Sequence, residues 1–322
     1  MKKIVLTIAV LLLACLPLVA GGQSGETGEA GPKKPADMSV VLIVKDLTNP
    51  FFVDMKKGGQ AAAEKWGVQY TCLAPEKYSV ENQIRIMEDL IEKRVDGFVV
   101  VPIDGKGIVS GIERANEAGI PVFNCNTRAD TDDILGFAGI DHVSLGEALA
   151  QYAVDYTGGE GTVLILEGTT GASTARDRLV GMHNVLDKYP GIKILASTTA
   201  KYNRQMAMQV TEDLLIRFSD VDVILAANDS MALGAKEAVK DARRDIAIAG
   251  IDAIPEAVDA VEAGDLGATI DSNGYGQAYT AMDLLCEYLV TGKKPPMETK
   301  IGTGEAKIIT KDNVAEFKAS KQ

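Results

Sequence analysis

Short apolar runs alternate along this chain with longer stretches whose apolar residues recur at helical spacing. That alternation is its strongest constraint on fold. Residues 40–44 read Val-Val-Leu-Ile-Val, and similar runs fall at 68–73, 97–101, 120–123 and 134–138. Apolar runs this short, without alternation, read as strands buried on both faces. Between them lie helical patterns at 53–66, 80–93 and 108–118. The second of these puts Ile84, Met87, Leu90 and Ile91 on one face, and Gly67 and Gly119 stand as stops after the first and third. Strands alternating with helices predict a parallel sheet with right-handed crossovers. The pattern restarts with a helix at 144–156. Strands follow at 162–166, 193–197, 222–226, 246–251 and 267–271, with helices at 175–187, 205–217, 231–241, 255–263 and 276–290. A chain of 322 residues accommodates two domains. The expectation is α/β, in two doubly wound lobes with about five strands each and a cleft between their carboxyl edges.

The first residues stand apart from this pattern. Lys2 and Lys3 precede an apolar run at 4–13 that is short for a membrane span, which is the layout of an export signal. Two processing routes remain open. Leu12-Leu13-Ala14-Cys15 resembles a lipobox, which would lipidate Cys15 and anchor the chain, whereas cleavage after Ala20 or Gly21 would release it. Residues 21–37 are polar and rich in glycine and are expected to form a disordered tether. The net charge of -12 disfavours nucleic acid and anionic membranes as partners. Cys72, Cys125 and Cys286 make an odd count beyond Cys15 and show no disulfide framework. His142 and His183, the only histidines, are isolated in sequence, so neither a metal site nor a hydrolytic triad is expected.

In open α/β sheets ligands bind beyond the carboxyl ends of the strands. Asn49, Pro50, Phe51 and Phe52 follow the first strand. This stretch reads either as a loop capping the core or as a flat apolar wall beside an amide. Other polar residues occupy equivalent positions: Asn126, Arg178, Asn228 and Asp252. Carboxylate and amide oxygens accept from ligand hydroxyls, while guanidinium and amide nitrogens donate to them. Each residue also has an ordinary explanation, and Asn228-Asp229 before a helix reads first as a cap. The 168–171 loop matches neither a dinucleotide fingerprint nor a Walker loop.

Asn49-Pro50-Phe51-Phe52, Ile120-Pro121-Val122, Ala175 to Arg178, Ala227 to Ala235, Gly250-Ile251-Asp252 and Ala268-Thr269-Ile270 together resemble the periplasmic sugar-binding proteins of the ribose and galactose type. These are the soluble receptors of ABC importers, and the resemblance runs from about residue 40 to 311. It implies the type I periplasmic binding protein fold: an N-terminal lobe of 38–140 plus 273–301, and a C-terminal lobe of 141–272 plus 302–322. Three crossovers, near 139–141, 271–273 and 301–302, would form the hinge. Asn49 would bond a sugar hydroxyl, Phe51 and Phe52 would pack on the ring, and Tyr202 would complete a sandwich. Arg178, Asn228 and Asp252 would bind hydroxyls from the second lobe, and Asn126 from the first. Asn126-Thr127, Ser272 and Lys45 depart from the ribose pattern and leave the ligand open among aldoses, polyols, cyclitols and autoinducer-like sugars. The implied protein is a monomeric receptor and not an enzyme. It would use no cofactor and be held closed only through its ligand. It would be recognised by an importer permease, with a chemoreceptor as a further partner, in the periplasm or at the outer face of the cytoplasmic membrane. Two other readings compete with this one: the effector core of a lactose-repressor-type regulator and a two-lobed α/β enzyme. The export signal and the absence of an evident nucleophile–base pair count against them.

Overall fold

The computed structural model describes residues 33–302 and 306–321. The expected export signal, Cys15 and residues 21–32 of the expected tether lie outside the described residues. The tether's last residues are ordered: Pro35–Asp37 form one 3-10 turn, and Gln69 Nε2 donates to Ala36 O at 2.9 Å. A proline fixes φ at the start of that turn, and the pairing of residue 38 with β2 holds it.

The first sheet grows from β1 (Ser39–Ile43), β2 (Gln69–Leu73), β3 (Gly97–Val100), β4 (Val122–Cys125) and β5 (Gly136–Gly139). Helices α1 (Pro50–Trp66), α2 (Val80–Glu92) and α3 (Val109–Glu117) connect the first four strands. Every residue of β3 and β4 is buried, as expected for apolar runs between two helical layers. After β5 the chain leaves this sheet. It builds a second sheet through α4 (His142–Thr157), β6 (Glu160–Glu167), α5 (Ser173–Leu186), β7 (Gly191–Thr199), α6 (Arg204–Arg217), β8 (Val223–Ala226), α7 (Asp229–Asp241), β9 (Ala247–Ala249), α8 (Pro255–Ala263) and β10 (Ala268–Ile270). It then returns through α9 (Gly274–Thr291) and β11 (Glu298–Lys300), and crosses once more to β12 (Ile308–Thr310) and α10 (Val314–Ser320). Strand order is β11-β5-β4-β3-β1-β2 in the first sheet and β12-β10-β9-β8-β6-β7 in the second.

Each sheet therefore has six strands rather than five. The sixth is a three-residue edge contributed after the chain has visited the other lobe. β11 adds in parallel to β5, but β12 runs antiparallel to β10. Three exposed or half-buried residues such as Glu298-Thr299-Lys300 carry no buried apolar run by which to be recognised.

The helix after β1 also begins earlier than its periodicity predicts. Pro50 occupies its first turn, where a missing N–H costs nothing, and Asn49 caps it by accepting from Phe51 N at 3.0 Å. Phe51 and Phe52 thus stand on the first turn of α1, not in a loop. Helix α1 lies against α9 so closely that a Cβ on Gly58 would collide with the carbonyl of Tyr275. In the second lobe α4 and α5 pack the same way. A side chain at Gly146 would strike the Arg178 carbonyl, and one at Gly181 the Val143 carbonyl.

Candidate functional site

The carboxyl edges of the two sheets face each other across a cavity of about 250 Å³. Nine of the ten expected site residues line it: Lys45, Asn49, Phe51, Phe52, Asn126, Arg178, Tyr202, Asn228 and Asp252. Ser272 does not. Its hydroxyl lies behind the wall and donates to Asp252 Oδ1 at 3.0 Å, while the residue itself is fully buried in the second crossover. Asp46, Tyr78, Thr174, Lys201, Asn203 and Met206 complete the lining.

The two capping asparagines serve both of the readings open to them. Asn228 Oδ1 accepts from Met231 N at 3.0 Å, as Asn49 Oδ1 does from Phe51 N. Each amide has its oxygen engaged by its helix, and both residues line the cleft with an amide nitrogen that can only donate. Asn126 is the reverse. Its Nδ2 donates to Gln277 Oε1 at 3.2 Å, and its Oδ1 accepts from Thr127 Oγ1 at 3.4 Å, which leaves one lone pair on that oxygen. Phe51 and Phe52 meet edge to face with ring centroids 5.2 Å apart.

Arg178 is only 3% exposed and organises the opposite wall. Nη2 lies 3.3 Å from Asp252 Oδ1, Nη1 donates to Ala227 O, and Nε donates to His142 Nδ1 at 3.4 Å. Asp252 sits at φ 131° and Ala253 at 52°, left-handed conformations that non-glycine residues hold only under constraint. The constraints are at hand. Asp252 N donates to Ile270 O, Ala253 N to Thr269 Oγ1, and Ile254 N to Asp229 Oδ2. Burial, followed by the charge of Asp252, pushes the Asp229 carboxyl up to about 8 beneath the loop it anchors. Burial also raises the Asp252 carboxyl, and Arg178 draws it back down.

Lys45 is 3% exposed and has no hydrogen-bonding or ion-pair partner among the described residues. Nζ lies 5.7 Å from the centre of the Tyr202 ring, and the Arg178 guanidinium 6.0 Å from the same ring. Burial and then the charge of Arg178 lower its pKa from 10.5 to about 7, with Asp252 opposing them. An amine so placed has donors to spare and gains from any oxygen brought to it.

One residue gains a role here and one expectation fails. His142 is isolated only in sequence. It is buried beneath Arg178, and its Nε2 lies 3.2 Å from Asn126 O. Its partners stand 36 and 16 residues away, too distant for any local pattern to reveal. Nor is ligand the only possible link between the lobes. Gly105 N donates to Gly171 O at 2.8 Å, Arg128 N donates to Ser173 Oγ at 3.0 Å, and the hydroxyls of Tyr78 and Thr169 lie 3.2 Å apart. This rim contact is tight: a Cβ on Gly171 would overlap the Asp104 carboxylate.

Comparison with known proteins gives one consistent result. The family model described as periplasmic binding protein domain matches residues 40–294. The ribose import binding protein of Bacillus subtilis is 33% identical over 273 residues, covering 84% of this chain and 88% of that one. The D-allose-binding periplasmic protein of Escherichia coli is 33% identical over 268 residues, covering 80% and 86%. Among solved structures, the Caulobacter myo-inositol binding protein bound to myo-inositol superposes with a TM-score of 0.80 at 28% identity, covering 90% of this chain and 99% of that one. The chain belongs to the periplasmic binding protein family.

Proposed function

We propose that this protein is the extracytoplasmic receptor of a sugar ABC importer and that it binds one monosaccharide between its lobes. The observation that carries the reading is the composition of the cleft. An aromatic pair from α1 faces Arg178, Asn228 and Asp252 across a cavity below the roughly 300–1,000 Å³ usual for drug-sized ligands. That combination suits a small, rigid, polyhydroxylated ring: apolar C–H faces for Phe51 and Phe52, and hydroxyls for everything else. Tyr202 would close the sandwich from the second lobe. Lys45 and the two asparagine amides would donate, and Asp252 and Asn126 Oδ1 would accept.

Binding is coupled to closure about the crossovers that follow β5, β10 and β11. Ligand held by both lobes stabilises the closed form by its differential affinity for it, and the rim contacts add to that stability. The closed form is what an importer permease would recognise. A cyclitol or polyol fits the same donor and acceptor set, and the myo-inositol-bound relative favours keeping it as the second reading.

The test is a thermal-shift screen of aldoses, ketoses, polyols and inositols. Ligand at a hundred times its Kd adds about 2.7 kcal/mol of stability, which shows as a melting shift of several degrees. The expected result is a strong response to one or a few stereoisomers. A flat response across the whole panel would remove the reading.

A further inference from the structure

Six residues around the cleft close into a ring of hydrogen bonds. Arg178 Nε donates to His142 Nδ1 at 3.4 Å, and His142 Nε2 lies 3.2 Å from Asn126 O. Asn126 Nδ2 reaches Gln277 Oε1 at 3.2 Å, and Gln277 Nε2 donates to Ser272 O at 2.6 Å. Ser272 Oγ donates to Asp252 Oδ1, and Arg178 meets the same oxygen at 3.3 Å. The ring joins binding residues of both lobes and passes through two crossovers, since His142 opens α4 just after the first and Ser272 lies in the second. Every member is nearly or wholly buried.

We infer that His142 is a positioning residue: as a neutral Nε2–H imidazole it holds the Arg178 guanidinium toward the cleft and ties it to Asn126 of the opposite lobe. The tautomer follows from its neighbours. A guanidinium can only donate, so Nδ1 must be the bare acceptor. The proton then resides on Nε2, aimed at a carbonyl, which can only accept. A second proton would oppose Arg178 directly. The surroundings resist it: His142 is fully buried, sits at the positive end of a sixteen-residue helix, and has Lys45 as a further cationic neighbour. Burial, then Arg178, holds the imidazole well below its ordinary pKa. The charged groups around it are Arg178 on α5, Lys45 beyond β1 and, through Arg178, Asp252 beyond β9. Asp141, its chain neighbour, spends Oδ1 on the amides of Val143 and Ser144. The close approach of α4 and α5 at Gly146 and Gly181 sets the distance at which imidazole and guanidinium meet.

Asn126 shows why the tie matters. It holds φ 62°, and the imidazole grips its carbonyl while Gln277 takes its side chain. The Thr127 hydroxyl donates to its Oδ1 at 3.4 Å, so backbone and side chain of Asn126 are held from three sides, with a lone pair of Oδ1 left over at the cavity wall.

The inference rests on the receptor reading, so its test has a ligand-free arm. Nitrogen-15 spectra of the full-length exported protein should show His142 as the neutral Nε2–H tautomer at about pH 7.5, and still neutral at about pH 5.5, where a free imidazole is largely protonated. An Nδ1–H tautomer or a doubly protonated ring would overturn the inference whether or not any sugar binds. The second arm uses D-ribose, D-allose and myo-inositol in calorimetric titrations. His142→Leu keeps the bulk but removes both hydrogen bonds and should weaken binding of the responding sugar about tenfold or more. His142→Asn offers an oxygen to Arg178 and an amide to the Asn126 carbonyl and should restore most of the loss. Wild-type affinity in the leucine variant, or no recovery with asparagine, would refute the positioning role. Failure of all three sugars with the wild type would strike at the receptor reading alone, and the spectra would still decide the ring.

Discussion

Lys45 should cost the unliganded protein stability, and replacing it with methionine should reveal how much. The amine is buried, unpaired among the described residues, and its pKa falls from 10.5 to about 7. Each pKa unit is worth about 1.4 kcal/mol, so the gap corresponds to about 5 kcal/mol at most. The sign follows from linkage. The unfolded chain binds the proton up to about pH 10.5 and the folded chain only up to about 7. The penalty is therefore fully present below pH 7, shrinks as pH rises through that window, and is gone near 10.5. Methionine keeps an unbranched stem of similar length and removes the charge. Its loss of attraction to the Tyr202 ring subtracts about 1–2 kcal/mol from the gain. Urea unfolding of Lys45→Met at pH 7 should thus show a gain of about 2–4 kcal/mol at an unchanged m-value, falling toward zero by about pH 10. The same variant should bind its sugar poorly. A variant no more stable than wild type at pH 7, or a gain of the same size at pH 10, would refute the reasoning.

Sugar binding should restore the Lys45 proton, because a ligand oxygen accepting from Nζ favours the charged amine. Calorimetry at about pH 8 in buffers of different ionisation enthalpy should report proton uptake, and proton release would contradict the assignment. Asp252→Ala strands a guanidinium that is nearly inaccessible and should weaken binding by about 2–5 kcal/mol, read by calorimetry; unchanged affinity would remove Asp252 from the site. Gly171→Ala drives a methyl into the Asp104 carboxylate at the rim and disturbs the Gly105–Gly171 bond. Loss of about 1 kcal/mol predicts roughly fivefold weaker binding through faster dissociation in stopped flow, with the unliganded melting temperature unmoved.

Much of the fold was legible because its central strands are runs of buried apolar residues, such as Val163 to Leu166 and Val223 to Ala226. The edges were not, since β11 and β12 are three residues each and owe their existence to the strand beside them. Most of the cleft lining could be read from strand ends because the open α/β architecture delivers that edge to ligands. The misreadings share one cause. Pro50 stops a strand and begins a helix equally well, and only the cap of Asn49 chooses between them. His142, Gln277 and Ser272 act through partners distant in sequence, and no local spacing marks a hydrogen-bond ring.

The close seating of α1 on α9 carries a consequence for biogenesis. The glycine face of α1 waits for a helix that follows the whole second lobe in sequence, and β5 waits for β11 beyond it. A chain made amino end first can complete its second lobe while its first still lacks a helix and an edge. The lobe made first is finished last. A fragment ending at the first crossover should therefore remain aggregation-prone, whereas residues 141–272 have nearly a full complement of their own strands.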